Sequence, residues 1–157
     1  LLDYGRMPTT QTREVVNLDT WIKACADEFK WPENVRWRLD LDADRPIEVD
    51  PMRLQQAVSN LLDNACQAIQ TDAHGPLAGQ ITIVSRTRHD RLEITVHDSG
   101  PGVPVTLRES IFEPLFSTKP FGVGLGLPLV RQVAIEHQGG VDVGKGPNGQ
   151  FTLWLAR

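Results

Sequence analysis

Asp50-Pro51-Met52-Arg53-Leu54-Gln55-Gln56-Ala57-Val58-Ser59-Asn60-Leu61-Leu62-Asp63-Asn64-Ala65-Cys66-Gln67-Ala68-Ile69-Gln70 is the stretch on which the fold turns. Aspartate followed by proline is a good helix start. The carboxylate caps free N–H groups, and proline's fixed φ suits the first helical position, where its missing donor costs nothing. The helix is expected to run from Pro51 to about Gln70, the longest in the chain. Leu54, Ala57, Val58, Leu61, Leu62, Ala65, Ala68 and Ile69 cover much of its girth, so most of it should be buried. Yet Gln56, Asn60 and Asn64 recur every four residues, with Gln67 three further on, and this spacing sets carboxamides in one row. A buried carboxamide without a partner costs about 1–3 kcal/mol. Such a row therefore asks for a shared polar ligand, and a neutral amide oxygen also suits Mg2+ already partly neutralised by phosphate. The other reading leaves these residues facing solvent or capping nearby backbone.

Downstream, Gln80–Arg88 and Arg91–Asp98 read as strands. Leu92, Ile94 and Val96 share a face, and the same parity puts Asp98 on it, at the edge of the sheet. Ser99-Gly100-Pro101-Gly102 follows, where glycines permit tight turning and close backbone approach. An ionised carboxylate there can accept from an exocyclic amine such as that of adenine, or bond its own backbone in an Asp-Ser-Gly turn. From Ser99 to Gly126 the chain is rich in Gly and Pro, around an apolar island at Ile111-Phe112-Glu113-Pro114-Leu115-Phe116. A connection this long is usually functional, often a lid. Gly122-Val123-Gly124-Leu125-Gly126 then opens into a helix reaching His137. Backbone N–H groups at a helix N-terminus suit phosphate, and Lys119 adds a point charge three residues upstream of Gly122. The run fits neither the dinucleotide fingerprint nor a P-loop, and it also suits a flexible turn. Strands near Val141–Val143 and Phe151–Leu155 close the chain.

Upstream, Asn17 or Asp19 can cap a helix to about Phe29, with Leu18, Ile22, Cys25, Ala26 and Phe29 on one face and Pro32 beyond its end. Val35, Trp37, Leu39 and Leu41 alternate as a strand, and Ile47 and Val49 make a short second one. Residues 1–16 read as a linker and the end of a preceding element, leaving 17–157 as one domain. The class is α/β, a two-layer sandwich of one sheet with about three helices on one face. Of 157 residues, 40% are apolar and 23% charged, with a formal net charge of −4. That balance argues against nucleic acid or anionic lipid as a general partner. No apolar run approaches the ~20 residues of a membrane span, and no signal peptide is apparent. Cys25 and Cys66 lack metal-ligand spacing and read as free buried thiols of a reducing compartment. The chain starts at Leu1 rather than Met, and is expected to be a fragment.

The order of these segments resembles a family. Leu54 to Ala65 looks like the asparagine box of sensor histidine kinases. Asp98-Ser99-Gly100-Pro101-Gly102 is similar to their first glycine box, Ile111 to Lys119 to the phenylalanine box, and Gly122 to Leu127 to the second glycine box. The Ser117-Thr118-Lys119 ending resembles kinases of the nitrogen-regulation type. The resemblance implies the Bergerat fold shared with gyrase, mismatch-repair and heat-shock chaperone ATPases, with a mixed, mostly antiparallel sheet of about five strands. It implies ATP and Mg2+ as cofactors. Asn64 would ligate the metal, Asn60 would lie beside the phosphates, and Asp98 would accept from adenine N6. Gly102 would shape the base pocket and Lys119 would approach the γ-phosphate. Gly124, Gly126 and the following helix N-terminus would hold the phosphate chain. Gln67, Gly100, Gly122, Leu125 and Leu127 complete the implied ATP-binding set. Ser99 to Val123 would form the lid, anchored by Phe112 and Phe116 or docked through them onto a neighbouring helical domain.

Related ATPases carry a glutamate four residues before the metal-binding asparagine, where this chain has Asn60. An amide does not accept a proton at neutral pH, so water is a poor nucleophile here and a neutral imidazole a better one. Asn60 and Lys119 are thus the expected catalytic pair, acting by positioning and charge. None of His74, His89, His97 and His137 lies in a His-Glu-Leu/Ile helical motif. The acceptor histidine is therefore expected upstream, on a dimerising helical domain. The other partner implied is a response regulator, and the location cytoplasmic, free or beneath a membrane anchor in the parent protein. Three departures from the family pattern stand out. Gln67 replaces a frequent Lys or Arg, Ala68 replaces a frequent aromatic ring, and Gly149-Gln150-Phe151 lacks the threonine that often precedes this phenylalanine.

Overall fold

The computed structural model describes residues 12–70, 79–113 and 126–157. In chain order these form β1 (Glu14–Asn17), α1 (Leu18–Glu28), β2 (Val35–Asp40), β3 (Pro46–Val49), α2 (Pro51–Gln70), β4 (Gly79–Thr87), β5 (Arg91–Pro101), α3 (Gly126–Glu136), β6 (Gly140–Val143) and β7 (Asn148–Ala156). Two single 3-10 turns, Val105–Leu107 and Ser110–Phe112, follow β5. The main sheet runs β2-β4-β5-β7-β6, while β1 and β3 pair as a separate ribbon. Only the β2–β4 pair of the main sheet is parallel. The mixed, mostly antiparallel five-stranded sheet and the helical layer are as expected from the sequence.

Alternation decides which face of the sheet is covered. Ile81 and Ile83 on β4, Leu92, Ile94 and Val96 on β5, and Phe151, Leu153 and Leu155 on β7 are buried. They meet Leu54, Ala57, Val58, Leu61, Leu62 and Ala65 of α2 in one core. Fully burying a leucine or isoleucine contributes roughly 1.5–3 kcal/mol, so α2 is held by packing more than by intrinsic propensity. Asn17 caps α1, its side chain accepting from Thr20 N–H at 3.0 Å. Asp19 has a different task. Buried, it accepts from Ala43 N–H at 2.9 Å and Ser85 O–H at 2.6 Å, tying α1 to β4.

Two boundaries differ from expectation. Glu14–Asn17, whose first three residues fall in the expected linker, is a strand in antiparallel register with β3. Its two faces are both partly exposed, so no hydrophobic alternation announced it. Strand β5, expected to end at Asp98, runs on to Pro101 through a break in register. His97 faces Gln150 and Pro101 faces Asn148, which leaves Asp98, Ser99 and Gly100 opposite Gly149 alone. Such a bulge re-aims the side chains it carries.

Helices α2 and α3 lie antiparallel, because Asn60 meets Gly126 while Asp50 meets His137. At the second junction Asp50 N–H donates to His137 Nε2 at 3.0 Å, so His137 Nδ1 carries the proton and donates to Val133 C=O at 2.8 Å. Arg53 adds a two-pronged ion pair to Glu136, at 3.0 and 2.8 Å. Cys66 is buried and Cys25 only half-buried, and both are free. Burial pushes their thiols up to about 11 and about 12, aided at Cys66 by Asp63 and Asp98 and at Cys25 by Glu28. Among the described residues no helix is long and apolar enough to cross a membrane.

Candidate nucleotide site

The carboxamide row of α2 does not act as a unit. Gln56 is exposed and accepts from Arg53 Nη1 at 3.2 Å, which is the solvent-facing reading. Asn60 is half-buried, its Nδ2 donating to the carbonyl of Gly126 at 3.3 Å, and so touches the first residue of α3. Asn64, one turn on, is 9% exposed, and its Nδ2 has no hydrogen-bond partner among the described residues. Gln67 is exposed at the rim of the same cavity that Asn64 lines.

That cavity leaves about 60 Å³ for the centres of water-sized molecules and is open to solvent. Asn64, Gln67 and Ala68 of α2 form one wall, and Asp98 and Gly149 lie where β5 and β7 meet. Val103, Pro104, Leu107 and Ile111 of the loop, Leu127 of α3 and Phe151 of β7 complete it. Phe112 packs edge-on to Phe151, ring centroids 6.4 Å apart, and so tethers the loop to β7. A mostly apolar slot with few polar groups is the usual form of a small-molecule site.

Parity delivers Asp98 as expected, with 6% exposure on the helix-covered side. Gly100 N–H donates to its Oδ1 at 2.8 Å, so the carboxylate bonds its own backbone and lines the cavity at once. The Asp-Ser-Gly turn reading of this residue is realised, with the carboxylate also at the cavity wall. Burial pushes the carboxyl up to about 6, although the N–H groups of Gly100 and Gly149 pull the other way. A carboxylate so placed is a strong acceptor for a donor entering the slot. Gly102 also lines the slot, its N–H donating to Pro147 C=O at 2.9 Å. A Cβ there would stand 2.9 Å from Gly146 C=O, so the close approach of the two backbones demands glycine.

Of the other expected site residues, Gly126 and Leu127 open α3, with Leu127 buried against the cavity. Lys119, Gly122, Gly124 and Leu125, like Phe116 and His74, lie outside the described residues. His89 and His97 are exposed and His137 is buried in the α2–α3 junction. Sequence reasoning missed Val103, Pro104 and Leu107 as walls, since 3-10 turns carry no long period to read. It also missed Gly149, although the departure from the family pattern pointed to that spot.

No group of three or more His, Cys, Asp or Glu side chains among the described residues is arranged to hold a metal ion. The unpartnered atom of Asn64 is Nδ2, a donor suited to an anionic oxygen such as that of a phosphate, while the oxygen of the same amide is of the kind that suits a cation whose charge phosphate oxygens offset.

Residues 49–157 match the family described as histidine kinase-, DNA gyrase B-, and HSP90-like ATPase. The chain belongs to that family. Among its relatives, the sensory histidine kinase/phosphatase NtrB of Salmonella typhimurium is 34% identical over 136 residues, 79% of this chain and 38% of the relative. The sensor histidine kinase ZraS of Escherichia coli O157:H7 is 35% identical over 157 residues, 94% of this chain and 32% of the relative. The chain thus spans about a third of the length of these curated relatives. The catalytic domain of histidine kinase ThkA has the same fold, with a TM-score of 0.76 at 28% identity over 92% of this chain and 97% of that one. ThkA is also seen in complex with the response regulator protein TrrA, where the TM-score is 0.71 at 25% identity over 92% of this chain and 41% of that one. In this ATPase-family chain, the cavity described above lies wholly within the matched residues.

Proposed function

We propose that this domain binds ATP with Mg2+ and transfers the γ-phosphoryl group to a histidine on an upstream helical domain, as the catalytic part of a sensor histidine kinase. The observation that carries the reading is the pairing of two buried, ligand-hungry groups across one apolar slot: the unpartnered Asn64 amide and the Asp98 carboxylate. Adenine matches the slot. Its faces are apolar and its exocyclic amine donates to Asp98. Asn64 then serves the metal and phosphates, and Asn60 lies beside the phosphates at the start of α3. Gly122, Gly124, Gly126 and the α3 N-terminus hold the phosphate chain through backbone N–H groups, and Lys119 meets the γ-phosphate. Gln67, Gly100, Gly102, Leu125 and Leu127 line the nucleotide. Magnesium supplies charge neutralisation when bound.

The reaction class follows from what Asn60 lacks. An amide does not take a proton from water at neutral pH, so hydrolysis is slow and an imidazole, nucleophilic as it stands, is the acceptor. The homology to NtrB and ZraS supports this choice over a hydrolase. The residues ahead of β1 are read as the link from the dimerising, phosphoacceptor helices. The phosphoryl group passes on to a response regulator, the kind of partner that ThkA engages, in the cytoplasm.

Titration with a non-hydrolysable ATP analogue and magnesium tests the site. Asp98→Asn puts an amide donor where the base amine also donates, and should weaken binding at least tenfold, about 1.4 kcal/mol. Normal binding by both Asp98→Asn and Asn64→Asp would refute the assignment. Steady ATP turnover by the chain alone would replace the kinase reading with an ATPase one.

A further inference from the structure

We infer that Asn148 and Gly149 are positioning residues for base selection: they form the mould that fixes the Asp98 carboxylate at the end of the slot. The inference deepens the nucleotide reading above and rests on it.

The argument begins with register. Three residues of β5, Asp98 to Gly100, oppose the single residue Gly149 of β7. The excess chain curls, and the Asp98 side chain folds back over Gly149. A Cβ at position 149 would lie 2.1 Å from Asp98 Oδ2, 2.6 Å from Cγ and 2.7 Å from Oδ1. The carboxylate therefore occupies the volume of a side chain that residue 149 does not have. Gly149 is not needed for its backbone, because its φ lies outside the left-handed region. What excludes other residues there is the carboxylate itself. The Gly149 N–H also donates to that carboxylate, the second of its backbone bonds after Gly100. Asn148 secures the rest of the bulge, with Nδ2 donating to the carbonyls of Ser99 at 3.2 Å and Gly100 at 3.1 Å. With those carbonyls turned toward Asn148, the Gly100 N–H is left pointing at Asp98. Asn148-Gly149 thus sets the direction of the one ionised acceptor lining the slot among the described residues.

Gly149→Ala pushes the carboxylate off the Gly149 N–H while adding a single methyl group to an otherwise compatible backbone. Affinity for ADP with magnesium should fall about tenfold at pH 7.5, the effect of one misdirected hydrogen bond to a charged group. Affinity for inosine diphosphate, which lacks the amine, should change little, so the preference for adenine narrows. The pH below which ADP binding fails should move upward, because the carboxyl loses a bond that holds it down. Asn148→Ala should act in the same direction, about threefold. In an Asp98→Asn background Gly149→Ala should add nothing. A role in packing alone would weaken both nucleotides equally and leave the pH midpoint fixed, and that result overturns the inference. So does unchanged ADP binding in Gly149→Ala. Should Gly149→Ala fail to fold, Asn148→Ala decides by the same three readouts. If instead Asp98→Asn itself binds ADP normally, it is the nucleotide reading that fails.

Discussion

The two ends of α2 meet the rest of the molecule on opposite terms. At its amino end Asp50 N–H, His137 and the Arg53–Glu136 pair are all satisfied by partners from α2 and α3. At its carboxyl half Asn64 is also buried but its amide nitrogen has no partner among the described residues, and burial pushes the Asp98 carboxyl across the slot up to about 6. Burying an unsatisfied amide or an underserved carboxylate works against folding. One helix therefore carries a stabilising junction and a destabilising site. The junction gives the site its rigidity, since it fixes α3 along α2 and so sets where Gly126 and Leu127 stand.

The largest effect that tests this contrast is loss of stability in His137→Ala. Asp50 N–H then loses its acceptor, a buried ring leaves a void, and the unfolding free energy should drop by about 3 kcal/mol, read by urea denaturation. Asn64→Ala should change stability by less than about 1 kcal/mol, because no protein partner is lost, while nucleotide binding disappears. If Asn64→Ala proves as costly to the fold as His137→Ala, the two ends are not different in kind.

The next effect is a reversal of sign with pH. Asp98 in the fold has its carboxyl raised from 3.8 to about 6, so the folded state holds the proton more tightly than the unfolded chain. Its contribution is fully present below about pH 4 and is lost as pH rises through about 6. Asp98→Asn should therefore gain about 1–2 kcal/mol of stability at pH 7 and nothing near pH 4, even as binding is lost. His137 runs the other way. Burial, and secondarily the nearby Arg13, lower its value, against the Val133 carbonyl, Glu136 and Asp50, which raise it. A lowered histidine contributes stability above its unfolded value, and that contribution is lost as pH falls through the folded one. Denaturation curves from pH 4 to 8 for the Asp98→Asn and His137→Ala chains separate the two. Equal slopes in both would collapse the distinction.

Much of the site end was legible in the sequence, and little of the junction. The limits of α2 follow from Asp50-Pro51 and the apolar spacing, and the inward face of Asp98 follows from strand parity, because both depend only on local period. The fate of each amide in the row was not legible. Which of Gln56, Asn60, Asn64 and Gln67 meets solvent, α3 or the slot depends on what packs over each turn, and that comes from residues far along the chain, 66 positions from Asn60 and 34 to 87 from Asn64. The His137–Asp50 bond spans 87 residues and leaves no local pattern. The bulge at Asp98–Gly100 was hidden for a similar reason: it exists only in the register of β5 against β7.

The smallest effect sharpens the comparison most. Arg53 is 22% and Glu136 7% exposed at the side chain, joined by two hydrogen bonds, so the pair lies between surface and interior. Arg53→Met keeps the stem's packing but leaves the Glu136 carboxylate with Gln132 Nε2 at 3.5 Å, while Arg13 donates to the Glu136 carbonyl. Partial exposure discounts the cost of that carboxylate to about 1 kcal/mol, and Arg53→Met/Glu136→Met should recover most of it. Arg53 precedes Asn64 by eleven residues, about 16 Å along the helix. Affinity for magnesium ATP should then stay within about twofold of the parent chain, since distant sites act independently. If affinity instead falls in step with stability across the two variants, α2 transmits strain from one end to the other, and the junction belongs to the site.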